Sequence, residues 1–310
     1  MASTVRPAPL AAPDRPGLAI GLVVTVTMVF VTMDALAKVL TETGMAPESI
    51  MTFRYAIVLT ALAPWTVYHW KDRPLATSRP WLHVARGVLL IGTATTFVYA
   101  LKYLPLEVAT AIGFASPLYV TILSVPFLGE KVGMRRWMAV VLGFGGVLLI
   151  LRPGGENFHW AMLLPLVTSL CWASSLIITR AMRGTERPMT VMIWSTGAGF
   201  LAILPFGIVA FEPPTGEQWV YLIVVAACNL AAQYLMIRAY MMAAASILAP
   251  FSYFTLLWAT LVGVFIFGSV PDWLTIIGAS VLAGSGLYVW HRERMAVAKT
   301  AAPVSGSEPA

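Results

Sequence analysis

The chain has 310 residues, of which 59% are hydrophobic and 11% charged, with a mean hydropathy of +0.80. Soluble chains carry about 25% charged residues, so a water-soluble globule, a disordered chain and a collagen-like chain are all excluded, and two cysteines inside apolar runs exclude a disulfide scaffold. The net charge of +6 comes from basic residues scattered between apolar stretches rather than gathered in a patch, which argues against nucleic acid and for a membrane protein whose loops encode its orientation.

Crossing a bilayer takes about 20 mostly apolar residues. Runs of that kind predict ten transmembrane helices: Gly17 to Leu40, Ser49 to Trp70, Trp81 to Tyr103, Leu106 to Leu128, Met134 to Leu151, Phe158 to Met182, Thr190 to Phe211, Trp219 to Tyr240, Ala245 to Gly268 and Trp273 to Trp290. The loops are too short for a soluble domain. The Pro/Ala-rich start, residues 1–16, and the tail, 295–310, read as disordered cytoplasmic extensions. The first run is too long for a signal-peptide core and is read as retained.

Polar residues are costly in a bilayer, so a polar stripe at helical spacing predicts a cavity or a partner helix. Span 1 carries Asp34 and Lys38, four apart on one face, and span 2 carries Arg54 at a similar height. These three are expected in the outer half, as a structural ion pair or as an extracellular gate, with Asp34 a candidate proton site or carboxylate anchor. Arg86 on span 3 and Arg180 on span 6 are expected to snorkel to the cytoplasmic interface. Span 3 presents Gly92, Thr96, Tyr99 and Tyr103, and span 4 presents Thr110, Phe114, Pro117, Thr121 and Ser124. Span 6 offers Thr168, Trp172, Ser175 and Thr179. Span 8 holds Asn229 and Gln233, the carboxamides found within spans, and span 9 has Ser246, Pro250, Tyr253, Leu257 and Thr260.

Such threonines and serines ordinarily bond their own backbone four residues back, and aromatics at this spacing ordinarily pack. The set retained as candidate substrate contacts is Tyr99, Phe114, Trp172, Ser175, Asn229, Gln233 and Tyr253. Gly113, Pro117 and Pro250 interrupt spans 4 and 9 and are candidate hinges. Ala139 and Gly143 on span 5, with Ser280 and Gly284 on span 10, are small residues four apart that predict close helix packing and a scaffold role.

Fourteen of the twenty Lys and Arg fall on one side of the ten spans, while Lys102 and Arg152 fall on the other, beside Glu42, Glu48, Glu107 and Asp272. That asymmetry predicts both termini in the cytoplasm. Residues Leu101 to Gly129 also align with Tyr240 to Gly268 at a constant offset of 139, pairing Phe114 with Tyr253 and Gly129 with Gly268. Five spans duplicated in tandem must emerge inverted, giving repeats at 17–152 and 158–291.

The run Leu128-Gly129-Glu130-Lys131 closes a span containing Ser116-Pro117 and precedes a span with Gly143, Gly145 and Gly146. This pattern resembles the EamA-type drug/metabolite transporter (DMT) superfamily, over nearly the whole chain, and within it the YddG-type exporters of aromatic amino acids. The resemblance implies a substrate cavity between two five-helix halves, lined by spans 1, 3, 4, 6, 8 and 9. The second half departs from the pattern, with Gly268-Ser269 where the first has Gly129-Glu130.

Among functions, the expectation is an inner-membrane secondary transporter exporting aromatic or large neutral amino acids by alternating access, with no cofactor and no nucleic-acid partner. The alternatives are a carrier of another metabolite, such as a vitamin, nucleobase or drug-like amine, or a non-transporting scaffold. An intramembrane enzyme is disfavoured. An aspartyl protease needs two membrane aspartates where the spans hold Asp34 alone, the HExxH metalloprotease motif is absent, and Ser285 has no membrane histidine to activate it. No phosphate-binding GxxxxGK[ST] loop is present, so transport is expected to be facilitative or ion-coupled.

Overall fold

The structure, a computed structural model, describes residues 16–72, 75–129, 132–155, 158–182, 186–242 and 248–301. Its helices are α1 (Pro16–Glu42), α2 (Pro47–Tyr68), α3 (Pro80–Tyr103), α4 (Leu106–Gly113), α5 (Ser116–Leu128), α6 (Met134–Leu151), α7 (Leu164–Ala181), α8 (Pro188–Val209), α9 (Gly216–Met242), α10 (Phe254–Phe267) and α11 (Trp273–Ala301). Short 3-10 segments precede α7 and α10, at Trp160–Leu163 and Ala249–Tyr253. Among the described residues there is no strand. Eight apolar helical stretches are long enough to cross a membrane, counting Leu106–Leu128 as one, and Phe251–Phe267 and Trp273–Tyr288 are shorter apolar helices. Helix α11 runs on to Ala301, so residues 295–301, expected as disordered tail, continue it.

The helix boundaries follow local chemistry. Proline opens α2, α3 and α8 at the first turn, where its missing N–H costs nothing and its φ is already helical. Gly129 and Gly268 end α5 and α10 with φ of 66° and 65°, the left-handed cap that a side chain would strain. These two caps lie at the offset of 139 seen in the sequence.

Packing joins the front of the chain to the back. The most extensive helix pairs are α6 with α11, α1 with α9 and α3 with α7 and α8, followed by α2 with α8, α5 with α7 and α1 with α10. Helices α1 to α6 touch one another much less. Large apolar side chains such as Val209, Phe265 and Trp273 stand exposed on the outside, the arrangement lipid demands and water forbids. The α6–α11 seam is tight because a Cβ on Gly146 would come within 2.7 Å of the Gly278 carbonyl, and one on Gly278 within 2.6 Å of the Gly146 carbonyl. Gly143 faces Ser285 and Leu118 in the same seam. The small-residue face of α11 is therefore Gly278 and Ser285 rather than the expected Ser280 and Gly284, both of which are exposed. Ser280 bonds its own helix at the Ile276 carbonyl.

Candidate functional site

A span interrupted between α4 and α5 meets a span that passes from a 3-10 segment into α10 without a gap. Helix α4 ends at Gly113 and α5 starts at Ser116, with Phe114 and Ala115 in a turn and Pro117 in the first turn of α5. A proline there lacks the N–H that a continuous helix would use, which explains the break. On the other side, the 3-10 segment Ala249–Tyr253, with Pro250 near its start, gives way to α10. The rings of Phe114 and Tyr253 face each other at 5.3 Å. The Tyr253 hydroxyl presses onto Gly286 of α11, a position with no room for a Cβ.

The other predicted contacts lie on α3, α7 and α9. Asn229 and Gln233 are half-buried on α9, and among the described residues neither carboxamide has a hydrogen-bond partner. They continue, toward the C-terminal end of α9, the face on which Leu222 and Val225 join the core shared with α1 and α2. Ser175 is buried, and its hydroxyl donates to its own helix at the Trp172 carbonyl, 2.7 Å away. Trp172 is 37% exposed and shows no ring stacking among the described residues. Tyr99 lies further out, its hydroxyl donating to the Glu48 carboxylate at the start of α2. Ser246 falls outside the described residues, as do Glu130 and Lys131 of the Leu-Gly-Glu-Lys run.

The helix ends that carry Lys38, Glu107 and Asp272 are closed by polar ties. The Lys38 ammonium donates to the carbonyls of Leu101 and Leu104 at 2.9 and 3.0 Å, capping the end of α3, and pairs with Glu42 at 3.7 Å. Its charge also sits 5.5 Å from the Phe267 ring centroid of α10. Glu107, expected at the outer surface, is instead 4% exposed, packed over Gly263 and accepting a hydrogen bond from Ser269 at 3.1 Å. Ser269 is the residue at which the second half departs from the Gly-Glu pattern, and the departure supplies this hydroxyl. Arg152 pairs with Asp272 at the same end. Helix α4 thus packs on α10, while α5, beyond the break, turns to α7.

No salt bridge joins Asp34 to Lys38 or Arg54. Lys38 is engaged elsewhere, and Arg54 reaches Met33, the residue next to Asp34 in the chain. Arg54 is 5% exposed, with its Nε occluded and without a partner. Its Nη1 touches the Met33 sulfur at 3.9 Å, and its guanidinium lies 5.5 Å from the Tyr55 ring centroid.

At the opposite end, Arg86 does not snorkel. Its Nε donates to Thr179 of α7 at 2.8 Å and its Nη1 to Ser195 of α8 at 2.9 Å, which ties three helices together. The side chain of Arg180 falls outside the description. Nearby, Glu186 accepts from the Thr77 hydroxyl at 2.8 Å and the Ser78 N–H at 3.3 Å, and lies 3.5 Å from His83 Nε2. The Thr77 bond, helped by Ser78 and His83, holds the Glu186 carboxyl below its ordinary value against the opposing effect of burial. Nothing in the spacing of the sequence signals this cluster, since Glu186 lies more than 100 residues from Thr77, Ser78 and His83. Among the described residues no group of histidine, cysteine or carboxylate side chains could hold a metal ion.

Known proteins resemble this arrangement throughout its length. A sequence model of the EamA-like transporter family matches residues 17–152 and 159–290. An S-adenosylmethionine uptake transporter of Rickettsia bellii is 29% identical over 266 residues, covering 86% of this chain and 91% of its own. A riboflavin transporter of Rhizobium johnstonii is 32% identical over 224 residues, covering 71% and 73%, and one of Vibrio cholerae is 30% identical over 256 residues, covering 81% and 85%. A solved crystal structure, 16% identical, superposes with a TM-score of 0.61 over 94% of this chain and 100% of its own, which shows a shared fold.

Proposed function

The chain belongs to the EamA-like transporter family, and from that premise we propose that it carries a small metabolite across a bacterial inner membrane by alternating access between two inverted five-helix halves, with both termini in the cytoplasm. The metabolite class is a planar heteroaromatic ring joined to a hydroxylated carbon chain. Riboflavin and S-adenosylmethionine, the compounds in the relatives' names, both have this form. The relatives favour the vitamin or other-metabolite reading over export of aromatic amino acids, and the Rickettsia name gives uptake as the direction.

The single observation that carries the reading is the Phe114–Tyr253 pair, 5.3 Å apart. Two aromatic faces, one at the turn between α4 and α5 and one where the 3-10 segment passes into α10, provide a stacking surface. Asn229 and Gln233, unengaged on α9, can each donate and accept and so suit hydroxyls or ring nitrogens.

Counterflow into proteoliposomes tests this directly. Vesicles preloaded with riboflavin or S-adenosylmethionine should accumulate the labelled compound, and vesicles preloaded with tryptophan should not. Tryptophan counterflow without either of the others would return the reading to amino-acid export.

A further inference from the structure

Among the described residues, Asp34 and Arg54 are two charges within the spans that no opposite charge pairs with. Five residues past the middle of α1, Asp34 lies about 7.5 Å outward of that helix's midpoint. It is half-buried, and among the described residues its carboxylate has neither a hydrogen bond nor a salt bridge. Arg54 is 5% exposed beside Met33 and Tyr55, with Nε occluded and unpartnered, Nη1 3.9 Å from the Met33 sulfur and the Tyr55 side chain against its guanidinium, and no carboxylate pairs with it. An uncompensated cation in such surroundings is strongly destabilising. A direct pair would relieve both residues, yet no salt bridge joins them, although the Arg54 guanidinium reaches Met33, the residue next to Asp34 in the chain. Lys38, one turn from Asp34, is held by two carbonyls and Glu42 and cannot substitute.

We propose that Asp34 and Arg54 are a split site for the zwitterionic amino-acid end of the transported metabolite, Asp34 taking its ammonium and Arg54 its carboxylate. A ligand carrying both charges on one carbon completes the chain from carboxylate to ammonium to carboxylate to guanidinium, with a charge-assisted hydrogen bond of about 2.7–2.9 Å at each end. Burial strengthens both contacts. A neutral flavin cannot complete this chain. The inference rests on the transport reading above and narrows it to substrates with an amino-acid end, of which S-adenosylmethionine is one.

The test measures binding of S-adenosylmethionine, the dimethylsulfonium analogue of adenosine (which keeps the adenosine and the sulfonium charge and lacks the amino-acid end) and riboflavin to the full chain in lipid nanodiscs. Wild type should hold S-adenosylmethionine at least about tenfold more tightly than the dimethylsulfonium analogue, the worth of one charge-assisted hydrogen bond. Asp34→Asn and Arg54→Gln should each erase that difference. Equal affinity of wild type for the two adenosyl ligands overturns the proposal, and because the comparison is made on unaltered protein it stands even if a variant fails to fold. Binding of riboflavin alone also overturns it while leaving the transport reading in place. If none of the three ligands binds, both readings fall together.

Discussion

Glu186 lies outside the membrane spans and accepts hydrogen bonds from Thr77 and Ser78 beside His83, so its carboxyl is held below its ordinary value. A carboxylate depressed in the folded state adds stability above its unfolded pKa of about 4.3 and loses it as pH falls toward the folded value. Glu186→Gln is therefore expected to melt lower than wild type at neutral pH, with the gap closing as the pH drops below about 4.3; a gap that stays constant in acid would contradict this. Lys38→Met should cost about 1–3 kcal/mol, because the last carbonyls of α3 lose their donor. Since Lys38 and Asp34 do not pair, the double variant with Asp34→Asn should be additive within about 0.5 kcal/mol by thermal melting. At this scale the sequence was informative where a single residue type is costly on its own, as with Asp34 and Arg54. It was silent where the partner is distant. Arg86 reads as a snorkelling residue until Thr179 and Ser195 are brought beside it, and Glu107 reads as a surface acid until Gly263 makes room.

Among the elements, the break between α4 and α5 was readable from Ser116-Pro117, and the ends of α5 and α10 from their glycines, because proline and glycine act through their own backbone. The packing face of α11 was not. Ser280 with Gly284 and Gly278 with Ser285 are both small at helical spacing, and which of them meets α6 depends on helix rotation, which small size alone does not set. Gly146→Leu should be destabilising by about 1–3 kcal/mol or more, since the Gly278 carbonyl occupies the space. Gly284→Leu, at an exposed position with nothing within 4 Å of an added Cβ, should leave the melting temperature nearly unchanged. Equal losses in the two would refute the seam. Gly286→Ala should displace the Tyr253 hydroxyl and weaken ligand binding more than it lowers folded yield, as ligand titration of purified protein would show.

For the molecule as a whole, membrane character came from composition, and the proposed topology can be checked from outside. In a background lacking Cys171 and Cys228, Gly44→Cys should react with an impermeant maleimide in intact cells and Ser78→Cys should not; the opposite labelling would invert the protein in the membrane. What composition could not show is that helices α1 to α6 find their main partners among α7 to α11. That interleaving bears on how the protein is made. While the ribosome is still synthesising the second half, the first half waits in the bilayer with Arg86 lacking Thr179 and Ser195, and Glu107 lacking Ser269. A product ending at residue 152 is then an orphan with exposed polar groups, a target for membrane proteases, and co-expression of residues 153–310 should rescue it by supplying the missing partners in trans.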